Sequence, residues 1–178
     1  PRPASPERLL AQIRRLHETH NACHFFVVDD LFGQQREETL RFCAMMRDYQ
    51  RSNGRRLDLA VQIRLDKAQD HQLLKAMREA GVNMVAIGFE SPIAEELRAM
   101  NKHITPDQMV EWTLTYRRFG FLIHGMFIFG YPLADGVNFS MNGKERVRRF
   151  VRFMCQGHID TIQVLLPVTL PGTEFRQR

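Results

Sequence analysis

The sequence predicts an α/β fold, a partial TIM-type (β/α) barrel with parallel strands. Three observations predict it. Short β-branched or aromatic runs alternate with amphipathic stretches of helical length, the order expected when parallel strands are joined by right-handed helical crossovers. The strand-like runs are apolar on one face and small or polar on the other, as a lumen backed by helices requires; a doubly wound sheet would be apolar on both. The chain has 178 residues, short of the roughly 250 that a complete eightfold barrel takes.

Ser5-Pro6-Glu7 opens the first element, with a capping hydroxyl and proline at the first helical position, and Leu9, Leu10, Ile13 and Leu16 form its apolar stripe. His24 to Asp30 is short, aromatic and β-branched, and reads as a buried strand ending in two acids. A helix is expected from about Gln35 to Gln50. Arg56 to Arg64 then alternates, with Leu57, Leu59, Val61 and Ile63 on one side and Asp58, Ala60, Gln62 and Arg64 on the other.

Asp66 to Ala80 is expected as one helix that stops at Gly81, a residue suited to a left-handed cap. The strand Asn83 to Phe89 places Val85, Ile87 and Phe89 on one face and Met84, Ala86 and Gly88 on the other, which turns acidic at Glu90. Ser91-Pro92 starts a short helix. Thr105-Pro106-Asp107-Gln108 is a capping box for a longer one ending at Gly120. Leu122 to Phe129 is a strand, a loop follows, a helix runs to about Gln156, and Ile159 to Leu166 is the last strand. Met45, Met46, Met77 and Met100 fall at helical spacings and are expected in the core.

With 44% hydrophobic residues and no Gly/Ser tract or charge block, residues 1–178 are expected to form a single domain. No run spans a bilayer, no signal peptide opens the chain, and Cys23, Cys43 and Cys155 are too dispersed for a disulfide framework. A cytoplasmic setting is therefore expected. The net charge of +5 could suit nucleic acid. Against this, Lys144, Arg148 and Arg152 recur at helical spacing opposite Val147, Val151 and Met154, as on the wet side of an amphipathic helix.

Ligands of parallel α/β folds gather at the carboxyl ends of the strands. Here those ends carry Asp29-Asp30, Gln62 with Arg64, Glu90-Ser91, Gly130-Tyr131 and Pro167. Acids, an arginine and an amide at one mouth suit a zwitterionic ligand bearing ammonium, carboxylate and hydroxyls; the same charges could merely cap strand ends. No Walker loop, GxGxxG, GxSxG or HExxH motif occurs. Cys23 and His24, as neighbours on a strand, point to opposite faces and make a poor metal pair. His124, within an apolar run, reads as a core histidine.

The pieces FVVDDLF, VQIR, IGFES, MNK, HGMFIFGYP and VLLPVTLPGT, in that order, resemble the radical S-adenosylmethionine (radical SAM) enzymes, especially the branch often fused to a cobalamin-binding domain. The resemblance implies a barrel in which a 4Fe-4S cluster binds S-adenosylmethionine, whose one-electron cleavage gives methionine and a 5'-deoxyadenosyl radical or supports methyl transfer. It also implies that Asp29 and Asp30 hold the methionyl ammonium. Glu90, with Ser91 after it, would face ribose or ammonium, and Gln62 and Arg64 would orient the carboxylate. Gly125, Ile128 and the backbone from Leu165 to Pro167 would flank adenine.

The family's first strand ends in a CxxxCxxC loop whose thiolates hold the cluster. That loop does not occur here. The chain is therefore expected to be an inactive part of a longer enzyme, with first strand and cluster loop missing, no cofactor bound to it alone, and an exposed sheet edge open to self-association. The rest of the parent chain would supply the cluster loop. A non-catalytic binding or scaffolding barrel that has lost its cluster stays open as the alternative. Substrate recognition is expected from added domains and from the loop Tyr131 to Gly143.

Overall fold

The computed structural model describes residues 4–133 and 139–168, apart from the side chains of Asp29 and Asp30. Five strands, β1 (His24–Phe32), β2 (Asp58–Ile63), β3 (Val82–Glu90), β4 (Leu122–Ile128) and β5 (Thr161–Leu165), lie side by side in chain order. Every neighbouring pair is parallel. The helices are α1 (Pro6–His20), α2 (Arg36–Asn53), α3 (His71–Glu79), α4 (Ala94–Ala99), α5 (Pro106–Arg118) and α6 (Gly143–Gln156). The sheet stays open, with β1 and β5 as its edges, so the architecture is the partial barrel that the sequence predicts.

Period-two alternation turns one face of the sheet into the core. Leu59, Val61 and Ile63 of β2, Val85, Ile87 and Phe89 of β3, and Ile123 and Phe127 of β4 are buried against the helices with Phe42, Met46, Leu73, Leu74, Met77 and Met109. Each such side chain, fully removed from water, contributes roughly 1.5–3 kcal/mol. Met46 and Met77 are core as expected, whereas Met45 and Met100 are only partly buried. We call the opposite face, which no described helix covers, the inner face. It carries Asp58, Ala60 and Gln62 of β2, Met84, Ala86 and Gly88 of β3, and His124, Met126 and Ile128 of β4.

The expected helix from Asp66 to Ala80 is broken. A 3-10 turn spans Leu65–Gln69, and Asp70 then caps a new helix by accepting the Leu73 amide at 3.0 Å. Arg36 holds that cap from α2, donating to Asp70 Oδ2 at 2.6 Å. The stop at Gly81 comes as expected: its φ is +90°, and an added Cβ would stand 2.3 Å from the Leu57 carbonyl oxygen, so no other residue fits. Gln50 fastens the same corner, donating to Ala80 O at 2.8 Å and accepting from the Leu57 amide at 2.7 Å. The capping hydroxyl and proline start of α1 and the capping box of α5 form as read, with Ser5 and Thr105 accepting from the Arg8 and Gln108 amides.

The reading of α6 is corrected. Phe150 and Phe153 are its buried residues, packing on Phe89, Phe127 and Phe129, while Val147 and Val151 are 50% and 51% exposed. Aromatic rings outcompeted valines for the sheet because they bury more surface there. The buried carboxylate of Glu96 on α4 pairs with Arg146 of α6 and accepts from the Ser91 hydroxyl at 2.5 Å. This pair ties the short helix after β3 to α6.

Candidate functional site

The carboxyl ends of β2 and β3 and the loop after α4 enclose a cavity of about 750 Å³, a size usual for small-molecule and cofactor sites. Gln62, Arg64 and Glu90 line it together, as the strand-end reading requires, joined by Asp66, Lys102 and Trp112. Arg64 is held by a two-pronged pair with Asp66, at 3.1 and 3.0 Å. Its backbone carbonyl accepts from the buried Tyr116 hydroxyl at 2.8 Å. Burial pushes the Tyr116 phenol far up, so it remains a donor at any working pH.

Glu90 adopts φ +64°, a left-handed conformation that a glutamate rarely takes. The β3–β4 register shifts between Gly88 and Glu90, and the carboxylate folds back over Gly88 toward Lys102 Nζ at 3.3 Å. Bulges and strained backbone at the end of a strand are typical of sites that re-aim one side chain. Lys102 was not among the residues singled out for the site. Its signal was the MNK segment, where a cation follows Glu90 after a short helix.

The remaining expected site residues divide. Ile128 and Leu165 pair across β4–β5 on the inner face, with Pro167 partly buried just beyond; none of the three lines the cavity of Glu90. Ser91 is fully buried, its hydroxyl donating to Glu96 and accepting from the Ile93 amide at 3.1 Å. It buttresses the strand end from beneath and presents no group to a ligand. At Gly125 an added Cβ would face the helices, 2.7 Å from the Phe127 ring and 3.1 Å from Ile159. Its missing side chain makes room for an aromatic core. The side chains of Asp29 and Asp30, the middle of the loop after Tyr131 and the segment Pro171-Gly172 lie outside the described residues.

The cysteines do not converge. Cys23 precedes β1, Cys43 is buried within α2, and Cys155 is exposed on α6. Burial pushes the Cys43 thiol up to about 12, far from the thiolate a cluster iron needs. Among the described residues no group of three His, Cys, Asp or Glu side chains could hold a metal. His24 instead pairs with Asp58 at 3.1 Å. No described helix is long and apolar enough to cross a membrane.

Among the described residues, a parallel open sheet in chain order, backed by helices on one face, and an acid–cation mouth at the strand ends make a partial (β/α) barrel with a ligand-sized cavity. No protein-family model matches the chain. Over 171 residues, 96% of this chain and 34% of the relative, it is 25% identical to an uncharacterised methyltransferase, PH0819, of Pyrococcus horikoshii. Over 179 aligned positions, 100% of this chain and 32% of the relative, it is 26% identical to a hopanoid C-2 methylase of Rhodopseudomonas palustris. The radical SAM methyltransferase TsrM of Kitasatospora setae, solved with cobalamin and a 4Fe-4S cluster, superposes with a TM-score of 0.72 over 93% of this chain and 31% of its own, at 16% identity.

The fold is that of this radical SAM structure, and the sequence relatives are named as a methyltransferase and a methylase. The chain spans about a third of the length of the curated relatives it matches.

Proposed function

We propose that this chain forms the S-adenosylmethionine-binding wall of a radical SAM methyltransferase of the cobalamin-linked branch. One observation carries the reading: the cavity at the strand ends sets the Glu90 carboxylate against Lys102, with Arg64 and the Gln62 amide beside them. This donor set fits the amino-acid end of S-adenosylmethionine, a carboxylate recognising ammonium and cations recognising carboxylate. When bound, S-adenosylmethionine supplies a methyl group or, once reduced, a 5'-deoxyadenosyl radical.

The chain's own residues then divide the work. Lys102 and Arg64 orient the carboxylate, Glu90 holds the ammonium, and Ser91 fixes the turn that presents Glu90. Ile128, Leu165 and Pro167 offer an apolar wall for adenine further along the sheet. The cysteines described above do not fit a 4Fe-4S cluster, so no step is assigned to one here. In this reading the cluster thiolates, like any cobalamin-binding segment, belong to other parts of the protein, and residues 1–178 alone bind S-adenosylmethionine without cleaving it.

The test is equilibrium dialysis of radiolabelled S-adenosylmethionine against the protein and its Glu90→Ala and Lys102→Ala variants. Each variant removes a charge-assisted contact, so binding should weaken about tenfold or more. Equal affinity in all three proteins refutes the assignment. In the complete protein, reduction should release 5'-deoxyadenosine or a methylated product.

A further inference from the structure

Arg64 and Lys102, the cations of the mouth, are both matched inside the protein. Lys102 faces Glu90 at 3.3 Å. Arg64 donates from Nε to Asp66 Oδ1 at 3.1 Å and from Nη2 to Oδ2 at 3.0 Å. This two-pronged pair is the geometry in which arginine recognises a free carboxylate. Asp66 thus occupies one edge of the guanidinium that the proposed function assigns to the carboxylate of S-adenosylmethionine, and the two carboxylates cannot share that edge.

Three features make this pair ready to yield. The side chains of Arg64 and Asp66 are 57% and 42% exposed, and ion pairs so open to water are weak. The Arg64 backbone is pinned by the Tyr116 hydroxyl where β2 passes into the 3-10 turn, so an exchange of partners moves side chains only. Asp66 also has somewhere to turn. With Gln69 it lines both the mouth and a second cavity of about 550 Å³, so these two residues form the wall between them. Lys67 and His71 line the far side of that wall, together with Arg36, which is already bound to Asp70.

We infer that Asp66 is a displaceable stand-in for the ligand's carboxylate, a specificity-determining residue that holds the Arg64 fork until a ligand carboxylate replaces it. The inference rests on the proposed function and adds that the mouth limits its own affinity. A stray anion gains one ion pair only by breaking another, whereas a zwitterion also brings an ammonium to Glu90. The opposite arrangement, in which Asp66 stays in place and merely steadies Arg64, predicts the opposite sign when the acid is removed.

The test is equilibrium dialysis of S-adenosylmethionine, and of its decarboxylated analogue, against the wild type, Asp66→Asn, Asp66→Ala and the double variant Arg64→Ala/Asp66→Asn, with Arg64→Ala as its reference. Asp66→Asn keeps the side-chain shape and should tighten S-adenosylmethionine binding about two- to fivefold, the worth of an exposed ion pair. Asp66→Ala should tighten it at least as much. The analogue has no carboxylate to take the fork and should bind neither variant more tightly, and the gain should vanish once Arg64 is gone. Unchanged or weaker binding of S-adenosylmethionine by both Asp66 variants overturns the inference, as does an equal gain for the analogue or a gain that survives without Arg64. If Glu90→Ala and Lys102→Ala still weaken binding in that event, the proposed function stands and the role of Asp66 alone falls; no binding by the wild type overturns both.

Discussion

The Glu90 carboxylate occupies the space that a side chain on Gly88 would fill: a Cβ there would stand 2.7 Å from Glu90 Oε1. Two residues that share the inner face thus exclude each other, and the glycine lets the acid fold back toward Lys102. Gly88→Ala should push the carboxylate out of the mouth and weaken S-adenosylmethionine binding about tenfold, while thermal unfolding stays near wild type. Dialysis and a thermal melt on one preparation check both parts.

Glu90 itself is held at φ +64°, a conformation that costs a non-glycine residue about 1–3 kcal/mol. Glycine adopts it freely but loses about 0.5–1 kcal/mol of unfolded-state entropy. Glu90→Gly should therefore leave the melting temperature unchanged or higher, although it removes the Lys102 ion pair, which is too exposed to matter much. Ligand binding should be lost. A lowered melting temperature would show that Glu90 serves stability and not a site.

Glu96 and Arg146 make the opposite case. The carboxylate is fully buried and the guanidinium nearly so, and stripping one partner from such a pair leaves an uncompensated charge, at a cost of about 3–5 kcal/mol. Arg146→Ala should lose stability of that order in urea unfolding. The double variant Glu96→Gln/Arg146→Met, which buries no charge, should recover much of it.

The fold was legible because its determinants are local and periodic. Alternation in β2 and β3, the caps at Ser5 and Thr105 and the stop at Gly81 each specify backbone within a few residues. The break at Asp70 was missed because its reason lies elsewhere in the chain: Arg36 makes the aspartate a cap. The face of His124 was misjudged because an apolar run on β4 does not say which side meets helices. Strand tips could be named from sequence, yet Lys102 enters the mouth only once the α4 turn has folded.

Acid should expose the Arg36–Asp70 link. Hydrogen bonding from Arg36, joined by the Leu73 amide, holds the Asp70 carboxyl below its ordinary range, while desolvation opposes the shift more weakly. A carboxyl depressed on folding contributes stability that is fully present above its unfolded pKa, near about 3.9, and is lost as pH falls through the folded value. The stability difference between wild type and Asp70→Asn should be constant from pH 7 to 5 and should shrink below pH 4. Asparagine still caps α3, so the pH dependence isolates the charge. A difference that stays flat down to pH 2 would contradict the assignment.

Tyr116 reaches the site through Arg64 alone. Its hydroxyl, on α5, donates to the Arg64 carbonyl at 2.8 Å, at the turn where β2 passes into the 3-10 segment. Tyr116→Phe leaves that carbonyl without its donor at a cost of about 1 kcal/mol in stability. It also frees the backbone that sets the angle of the guanidinium over the mouth. Tyr116→Phe should therefore weaken S-adenosylmethionine binding several-fold although the ring never touches the ligand. Adding the substitution to Arg64→Ala separates position from packing, because groups that act through one another are not additive. Once the guanidinium is gone, Tyr116→Phe should cost affinity nothing further while its stability cost persists; an undiminished loss of affinity in the double variant would show that Tyr116 acts by another route.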